Sequence, residues 1–491
     1  MTIYIDGHNC QYEIRCLAGM FFPGLSLAER EGKPGEGDPY IYTGVSKTDT
    51  QAQLTVEVSI GHRHRSGAIH LALLQPNFKN ACERAFGQML YPILADITGV
   101  KPKWGVLTGI RPVKLVQERL DKGMLEEDVL DHLQSAYLVS EEKSRLMVDT
   151  ARMERGALER LKGRGNTFSL YIGIPFCPSR CLYCSFVSHS IEKSAKLIPD
   201  YVEKLCEEIK HTAEIADELG LSLSTVYIGG GTPTALTAPQ LAQIFDAVKA
   251  SFDLPGLWEY TVEAGRADTI TADKLITIKD GGASRISINP QTLNDQVLAA
   301  IGRKHTAREV LDSFALARQI GFYNINMDLI AGLHSDTLPS FCKTVDGLLE
   351  LAPENITIHT LSVKRSSDSV YEGTAIYDAG GGLADSMLDY AYRRLAEEGY
   401  RPYYLYRQKN TRDNLENVGF CRKGKMGLYN IYMMEEVQTI LACGAGAVTK
   451  LVDPERSYIE RVFNYKLPLE YLRGFDTLLK RKAAITSFYS R

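Results

Sequence analysis

The sequence lacks three features that would each define a broad class of protein. Lys and Arg total 56 against 60 Asp and Glu, which leaves a net charge of −4. A broad nucleic-acid surface needs an excess of positive charge, so this composition argues against a nucleic-acid partner. No apolar run approaches the ~20 residues that cross a bilayer, and we predict no membrane span. The first residues, Met-Thr-Ile-Tyr-Ile-Asp, hold no basic segment typical of a secretory signal, so we expect a cytoplasmic protein.

The 491 residues are enough for two to four domains, and the pattern changes twice along the chain. Residues 1–165 open with alternating, strand-like runs and turn helical at about 76–94 and 112–138, which predicts a separate N-terminal α+β domain of unknown role. From residue 166 strand patterns alternate with long helical patterns as far as 379. Ala379-Gly-Gly-Gly382 interrupts this alternation, and 380–491 are predicted to form a C-terminal α+β extension.

The region 166–379 contains six β-then-α units in succession. Such a series predicts an α/β fold, a partial (β/α)6 barrel of parallel strands with crossover helices. The predicted strands are 168–174, 224–228, 259–263, 285–288, 323–329 and 355–361. The predicted helices between them include 201–219, 239–252, 307–320 and 338–351. In such folds the chemistry lies at the carboxyl ends of the strands, so the residues that follow each strand form the candidate site.

The ten cysteines are unevenly distributed. Seven stand singly, and a lone cysteine is usually a small buried hydrophobe. The other three, Cys177, Cys181 and Cys184, lie within eight residues directly after the first predicted strand. A disulfide framework would spread its pairs through a small secreted domain, so this cluster indicates a metal or redox site.

Two kinds of metal site fit this spacing. Three thiolates suit an iron–sulfur cluster, and a [4Fe–4S] cube bound by three cysteines keeps one iron without a protein ligand. Alternatively, His189 follows Cys184 by five residues and completes a Cys3His zinc tetrahedron. The cysteines alone leave both open. The loop follows the first strand of a large α/β core, whereas a small zinc module usually stands alone, and this context favours the iron–sulfur cluster.

The other strand ends carry residues able to bind a ligand. Gly229-Gly-Gly-Thr-Pro-Thr234 follows the second strand, and its glycines allow backbone to approach the amino group of a cofactor. Glu263 ends the third strand, Gln291 follows the fourth, Arg303 comes twelve residues later, and Asp328 ends the fifth. Each is unremarkable alone, but together at one end of a barrel they predict a binding site.

The motifs resemble those of a known family. Cys177-x3-Cys181-x-Tyr183-Cys184 resembles the signature of radical S-adenosylmethionine (SAM) enzymes. Tyr171-Ile-Gly-Ile-Pro-Phe-Cys and Gly-Gly-Gly-Thr-Pro-Thr are similar to the branch that contains oxygen-independent coproporphyrinogen III oxidase. Within that branch, three further motifs resemble the HemZ type, called coproporphyrinogen dehydrogenase. They are Trp104-Gly-Val-Leu-Thr-Gly-Ile-Arg-Pro, Tyr403-Tyr-Leu-Tyr-Arg-Gln-Lys-Asn and Asn414-Leu-Glu-Asn-Val-Gly.

The resemblance implies a chemistry of porphyrin and heme biosynthesis. Cys177, Cys181 and Cys184 would be the metal ligands and catalytic cysteines, holding a [4Fe–4S] cluster whose fourth iron binds SAM. An electron cleaves SAM, and the 5′-deoxyadenosyl radical removes hydrogen from a propionate of coproporphyrinogen III. Loss of carbon dioxide and one electron leaves a vinyl group, and two such events give protoporphyrinogen IX. An electron donor is also implied, and the motifs do not identify it.

The resemblance also implies which residues bind cofactor and substrate. The residues expected to line the SAM site are Tyr171, Tyr183, Gly230, Gly231, Thr232, Glu263, Gln291, Arg303, Asp328 and Thr360. The tetrapyrrole substrate carries four carboxylates, which favours cations near the barrel mouth. The candidate cations are Lys364, Arg365, Arg407 and Lys409.

The motifs depart from the family pattern, and other functions stay open. Asn289-Pro-Gln291 stands where relatives commonly have Gly-Val-Gln, and Ala-Gly265-Arg266 replaces Ala-Asn-Pro. The N-terminal region is also longer than the leader of the better-known oxidases. A related branch delivers heme as a chaperone, so a heme carrier is one alternative. A radical SAM enzyme with another substrate and a zinc-stabilised binding module are the others.

Overall fold

The structure, a computed structural model, describes residues 1–22, 24–35, 39–184, 186, 189–362, 382–408, 411, 414–454 and 456–490. Two compact units are present. The first comprises the described residues within Met1–Ala151, Ala375–Gly382 and Arg407–Leu415. The second comprises those within Arg152–Thr374, Leu383–Tyr406 and Glu416–Arg491. The predicted division into three domains, with boundaries at 165 and 379, stays a prediction.

The first unit is an α+β unit with a five-stranded sheet in the order β2-β1-β3-β4-β5. Its strands are β1 (Thr2–Asp6), β2 (Ala28–Glu31), β3 (Tyr40–Lys47), β4 (Gln51–Ile60) and β5 (Arg63–Ala72). Its helices are α1 (Gln11–Phe21), α2 (Phe78–Thr98), α3 (Pro112–Asp121) and α4 (Glu126–Tyr137), and α5 (Glu141–Leu161) begins in it. Buried apolar residues alternate along β4 and pack against α1 and α2. The predicted helix 112–138 is divided because Gly123 takes a φ of +84°, which a helix does not allow.

The second unit is built on six parallel strands, each followed by helix, as the sequence predicts. The strands are β6 (Thr167–Ile174), β9 (Ser222–Gly230), β10 (Glu259–Gly265), β11 (Arg285–Ile288), β12 (Ile325–Ala331) and β13 (Asn355–Thr360). The longer helices that follow are α7 (Ile198–Glu218), α8 (Ala238–Ser251), α9 (Ala272–Asp280), α11 (Ala307–Ile320) and α12 (Leu338–Leu351). Each strand pairs in parallel with the next in sequence, so their carboxyl ends meet at one edge. This is the topology of a partial (β/α)6 barrel.

Later elements extend the same sheet at both edges. On one edge β15 (Glu416–Cys421) pairs antiparallel with β13, and β14 (Arg401–Arg407) follows it. On the other edge β16 (Thr439–Cys443) pairs in parallel with β6, followed by β17 (Val448–Asp453) and β18 (Tyr458–Phe463). The residues that the structure describes thus form a sheet of eleven strands. Segments from 401 to 463 therefore contribute five strands to the sheet that carries the core.

Shorter elements complete the described chain. They are β7 (Phe176–Cys177), β8 (His189–Ser190), α6 (Ile191–Ser194), α10 (Asp295–Ala300), α13 (Leu383–Glu397), α14 (Leu428–Glu435), α15 (Pro468–Arg473), α16 (Phe475–Arg481) and α17 (Ala483–Tyr489). In the described part of the chain, no helix combines the length and apolar character needed to cross a membrane.

The amino ends of the barrel strands are closed by helix α14. The carboxylate of Glu259, at the start of β10, accepts hydrogen bonds from the backbone N–H groups of Leu428 (2.7 Å) and Tyr429 (3.2 Å). A carboxylate at a helix amino terminus is favourable because the first N–H groups lack partners within the helix. The Tyr429 ring in turn stacks on Tyr227 of β9, with centroids 4.5 Å apart. This end of the barrel is therefore packed with side chains, and the candidate residues lie towards the other end.

Candidate functional site

The three cysteines lie on the loop that follows β6. Cys177 ends β7, Cys181 is buried, and Cys177 and Cys184 are half-buried. None of the three is in a disulfide. Burial raises the pKa of the Cys184 thiol, and the neighbouring Cys181 and Cys177 raise it further. The three sulfurs are therefore close enough to influence one another electrostatically.

The loop is fastened to the segment that carries Arg303. The N–H of Leu182 donates to the carbonyl of Ile301 (3.1 Å), and the Ser179 hydroxyl donates to the carbonyl of Gly302 (3.3 Å). These bonds hold the middle of the cysteine loop against a second part of the candidate site, so the two are positioned together.

The thiols are not arranged around a single metal ion. Among the described residues, no group of three or more His, Cys, Asp or Glu side chains is placed to hold one ion. This includes His189, so the Cys3His zinc tetrahedron considered from the sequence is not assembled in this structure. The thiolates of an iron–sulfur cluster bind different irons, and they need not converge on one point.

The glycine turn after β9 lies directly against the cysteine loop. The N–H of Gly231 donates to the carbonyl of Ile174 (2.7 Å), and the N–H of Thr232 donates to that of Phe176 (2.8 Å). A Cβ on Gly231 would stand 2.6 Å from the Phe176 carbonyl oxygen and 3.0 Å from the Cys177 sulfur. The Thr232 hydroxyl lies 3.4 Å from the same sulfur. Gly230 has a φ of +109°. Only glycine fits these two positions, and backbone thereby approaches the thiol closely.

Glu263 lies two residues before the end of β10, inside a hydrogen-bonded group. Its carboxylate accepts hydrogen bonds from the Tyr227 hydroxyl and from the Asn289 amide, the latter at 2.9 Å. Burial raises the pKa of Glu263, and the nearby Asp328 carboxylate raises it further. Protonation of Glu263 therefore occurs above the usual range of a glutamate.

Asp328, near the end of β12, faces a histidine that the sequence analysis did not select. Its Oδ2 lies 3.6 Å from Nε2 of His359 on β13, and its Oδ1 accepts from the Asn326 amide at 2.7 Å. Burial alone would raise the pKa of Asp328, but the contacts with His359 and Asn326 outweigh it and lower that pKa. Nδ1 of His359 is 3.4 Å from the Tyr406 hydroxyl. Asp328 is therefore held as a carboxylate beside an imidazole.

Gln291 stands in a conformation that is costly for its residue type. Its φ is +67°, and its backbone bridges to Leu329 on the neighbouring β12. Its N–H donates to the Asp328 carbonyl at 2.9 Å. Its side-chain oxygen is buried and has no hydrogen-bond partner among the described residues. A buried amide oxygen without a partner is rare and indicates a position where a ligand supplies the donor.

The buried Arg303 and the partly buried Tyr183 form a pair between the cysteine loop and the strand ends. The guanidinium donates to the Tyr183 hydroxyl from Nε (3.3 Å) and Nη2 (3.1 Å), and to the Asn289 carbonyl from Nη1 (2.6 Å). Burial raises the pKa of Tyr183, so the phenol keeps its proton. Tyr171 lies on β6, and its ring stacks on that of Tyr227 with centroids 6.3 Å apart.

Other predicted residues make different contacts. Thr360 ends β13, and its hydroxyl donates to the carbonyl of Glu416 on β15 (2.7 Å); its place in the SAM site stays a prediction. Arg407 belongs to the first unit, is buried, and donates to the carbonyls of Leu107 and Asn414. Lys364, Arg365 and Lys409 lie outside the described residues.

Four residues of the site were missed from the sequence. They are Tyr227, Arg266, Asn289 and His359. Asn289 and Arg266 stand in motifs that depart from the family pattern. Both follow a predicted strand, and that position is a sequence signal for a site residue. Tyr227 and His359 precede the strand ends, where an isolated tyrosine or histidine gives no sequence signal.

The described residues fit a [4Fe–4S] cluster and SAM on three grounds. The three cysteines share one loop and form no disulfide, the glycine turn packs directly against Cys177, and Gln291 presents a buried oxygen without a partner among the described residues. The buried oxygen is costly unless a bound group supplies a donor.

Comparisons with known proteins identify the family to which the chain is similar. The family description "Radical SAM superfamily" matches residues 171–348. The Bacillus subtilis protein named oxygen-independent coproporphyrinogen-III oxidase-like protein HemZ is 37% identical over 486 residues, which is 97% of this chain and 96% of that protein. The heme chaperone HemW of the same organism is 38% identical over 200 residues, 40% of this chain and 51% of HemW. This chain thus spans about half the length of that relative.

A solved structure shows the same fold. Coproporphyrinogen III oxidase (HemN) from Escherichia coli matches with a TM-score of 0.51 and 22% identity, over 67% of this chain and 72% of that chain. The predicted α/β fold class is confirmed. The superfamily implies SAM and a [4Fe–4S] cluster. With near-complete coverage at 37% identity, the chain belongs to the radical SAM superfamily and, within it, to the family of HemZ, the oxygen-independent coproporphyrinogen-III oxidase-like protein.

Proposed function

We propose that the protein oxidatively decarboxylates coproporphyrinogen III to protoporphyrinogen IX without oxygen, using SAM. The observation that carries the proposal is the meeting of three cysteines that form no disulfide with partly buried carboxylates and buried amide and guanidinium groups at the carboxyl ends of β6 to β12. The similarity to HemZ, which extends over 97% of this chain, supports the choice of substrate class.

In this proposal Cys177, Cys181 and Cys184 hold the cluster and leave one iron for SAM. When bound, the cluster supplies the electron for reductive cleavage of SAM, which starts hydrogen abstraction from the substrate. Gly230 and Gly231 let the turn pack against the cysteine loop, since a Cβ on Gly231 would collide with that loop, and in this proposal the turn borders the polar end of SAM beside Cys177.

The polar residues at the strand ends bind and orient SAM. Carboxylates accept hydrogen bonds from hydroxyl and amino groups, so Glu263 and Asp328 are suited to the ribose and the amino group. The Oε1 atom of Gln291 can accept a hydrogen bond from SAM. The guanidinium of Arg303, which donates to the Tyr183 hydroxyl, offers a positive charge to the carboxylate of SAM. Tyr171 and Thr232 complete the lining. Their burial excludes water, which protects a reactive species from side reactions.

The substrate step must balance. Each propionate that becomes a vinyl group loses carbon dioxide, one hydrogen atom and one electron. The hydrogen atom passes to the cleaved SAM, and the remaining electron requires an acceptor that is a separate redox partner. Cleavage of SAM consumes one electron from the cluster, so we also infer a separate one-electron donor that reduces the cluster.

A heme chaperone is the second candidate, because HemW of Bacillus subtilis and HemW of Haemophilus influenzae resemble the chain. The latter is 30% identical over 308 residues, 62% of this chain and 76% of HemW. These similarities cover the chain less completely than that to HemZ, which favours the enzyme.

An anaerobic turnover assay separates the two. Protein reconstituted with iron and sulfide is incubated with SAM, a low-potential reductant, an electron acceptor and coproporphyrinogen III. We expect 5′-deoxyadenosine, carbon dioxide and protoporphyrinogen IX, with none of these products from Cys181→Ala. Tight, stoichiometric binding of heme without decarboxylation would favour the chaperone instead. Zinc without labile sulfide in anaerobically purified protein would refute both.

A further inference from the structure

A buried arginine lies beneath the cysteine loop, and the mechanism above does not use it. Strand β10 has a register irregularity against β11 between Glu263 and Gly265, and Gly265 takes a φ of +54°. A bulge of this kind redirects the next side chain. That residue is Arg266, which is 3% exposed.

Arg266 contacts the cysteine loop through one end of its guanidinium. Nη1 donates to the carbonyl oxygen of Ser179 (3.0 Å) and to its hydroxyl (2.8 Å). The same nitrogen lies 4.0 Å from the sulfur of Cys181. A full positive charge therefore lies next to a proposed cluster ligand.

The other end of the guanidinium is held by Asp268. Nε donates to Oδ1 at 3.0 Å and Nη2 donates to Oδ2 at 2.7 Å, a two-pronged geometry that only arginine offers. His305 supports Asp268, with Nδ1 3.7 Å from Oδ1. Burial would raise the pKa of Asp268, but the contacts with His305 and Arg266 outweigh it and hold that pKa below its ordinary value. The carboxylate is therefore charged, and the orientation of Arg266 is fixed from both sides.

We propose that Arg266 is a positioning residue for the cluster: it holds the Ser179–Cys181 segment and places a positive charge beside the Cys181 sulfur that favours the reduced cluster. The inference rests on the cluster that the proposed function requires and not on the identity of the substrate. Reduction adds one negative charge to the cluster. A nearby cation stabilises that charge, and hydrogen bonds and charges around the sulfurs are known to set cluster potentials.

A packing role alone gives a different expectation. If Arg266 only fastened the loop, its loss would reduce stability and iron content and leave the potential of the remaining cluster unchanged. The decisive readout is therefore the midpoint potential of the cluster, measured without SAM and without substrate.

The experiment compares Arg266→Gln, Arg266→Lys and a control, Arg285→Gln. Arg285 is also buried in the barrel and donates to the carbonyls of Lys425 (2.9 Å) and Met426 (2.8 Å), but it lies at the start of β11, at the opposite end of the strands from the cysteines. The Arg285→Gln variant therefore has the stability cost of losing a buried arginine but keeps the positive charge near Cys181. Iron and sulfide content is determined first, and the reduced cluster is then followed by EPR in a potentiometric titration.

At a fixed potential we expect the ratio of reduced to oxidised cluster in Arg266→Gln to fall about tenfold, which corresponds to a midpoint about 59 mV lower for one electron. Arg266→Lys keeps a charge without the two-pronged contact, so its midpoint should lie between those of the wild type and Arg266→Gln. Arg285→Gln should match the wild type.

An unchanged midpoint in Arg266→Gln, or an equal fall in both Arg266 variants, would overturn the proposal and leave the proposed function intact. Should Arg266→Gln take up no iron, Arg266→Lys carries the test, and a wild-type midpoint there overturns the inference. Absence of any cluster from the wild-type protein would overturn both this inference and the proposed function.

Discussion

Gly231 lies so close to Cys177 that a Cβ on the glycine would stand 3.0 Å from the cysteine sulfur. The same Cβ would stand 2.6 Å from the carbonyl oxygen of Phe176 and 2.9 Å from that of Ile174. These are backbone oxygens of the last residue of β6 and the first residue of β7, and they cannot move without displacing the cysteine loop. The glycine turn and the proposed cluster site are thus one packed unit.

Substitution of Gly231 should therefore damage cluster binding. In Gly231→Ala we expect at least a several-fold loss of iron and sulfide per chain after anaerobic reconstitution, with a stability cost of about 1–3 kcal/mol from overpacking. Gly156→Ala is the matched control, because no atom lies within 4 Å of its added Cβ on helix α5. It should load iron normally and be no less stable. Normal iron content in Gly231→Ala would show that the loop tolerates the displacement.

Removal of the buried oxygen of Gln291 should have opposite effects on stability without SAM and on affinity for SAM. Gln291→Met keeps the length of the side chain and removes a polar atom that lacks a partner among the described residues. Without SAM the variant should be at least as stable as the wild type, since an unsatisfied buried polar group is costly. With SAM, loss of one hydrogen bond should weaken binding about tenfold, or roughly 1.4 kcal/mol. Isothermal titration of the reconstituted protein measures this, and unchanged affinity would remove Gln291 from the SAM site.

The raised pKa of Glu263 predicts a pH dependence of stability without SAM. Burial and Asp328 raise this pKa in the folded state, so folded protein holds a proton that unfolded protein has released. Stability is therefore lost as pH rises from the ordinary glutamate range through the raised pKa. Glu263→Gln removes this loss, and its advantage over the wild type should grow with pH by up to about 1.4 kcal/mol per unit within that window. Urea unfolding at a series of pH values tests this. A constant difference between the two proteins would contradict it.

Arg407 should matter for the stability of the first unit. Its guanidinium lies 4.8 Å from the centre of the Trp104 ring and donates to the carbonyls of Leu107 and Asn414. Arg407→Lys keeps the charge but not these contacts, and we expect a loss of about 1.5–3 kcal/mol. Unfolding followed by Trp fluorescence measures it. Arg15→Lys, at an exposed ion pair with Glu29, is the control and should change stability by less than about 1 kcal/mol. If Arg407→Lys instead kept full stability and raised the KM for the tetrapyrrole, a substrate role would be supported.

The sequence predicts the barrel well because its strands and helices carry local periodicity. The predicted segments Arg285–Ile288, Ala307–Ile320 and Leu338–Leu351 agree with the structure residue by residue. The placement of β16 beside β6 could not be predicted, because Thr439 and Phe168 pair across 271 positions of sequence and no local pattern records that pairing. For the same reason the sequence pattern predicts a C-terminal extension for residues 380–491 and does not indicate that strands within 401–463 lie at the edges of the same sheet.

The site residues likewise divide into those that local sequence patterns predict and those that depend on contacts distant in sequence. Glu263, Gln291, Arg303 and Asp328 could be selected because a simple rule, position after a parallel strand, places them at one edge. Tyr227 and His359 could not, because their roles depend on contacts with Glu263 and Asp328 that only the folded chain creates. Thr360 stands at the end of β13 as the same rule predicts, and its hydroxyl donates to a carbonyl of the neighbouring strand.

The central claim is that three cysteines hold a cluster with one iron available to SAM, and EPR of the reduced cluster tests it most directly. Spectra of anaerobically reconstituted protein are recorded before and after addition of SAM, with Cys181→Ala beside the wild type. We predict a [4Fe–4S]⁺ signal that changes its g values when SAM binds, and no such signal from the variant. A cluster signal that SAM leaves unchanged, or one that persists in Cys181→Ala, would contradict the account.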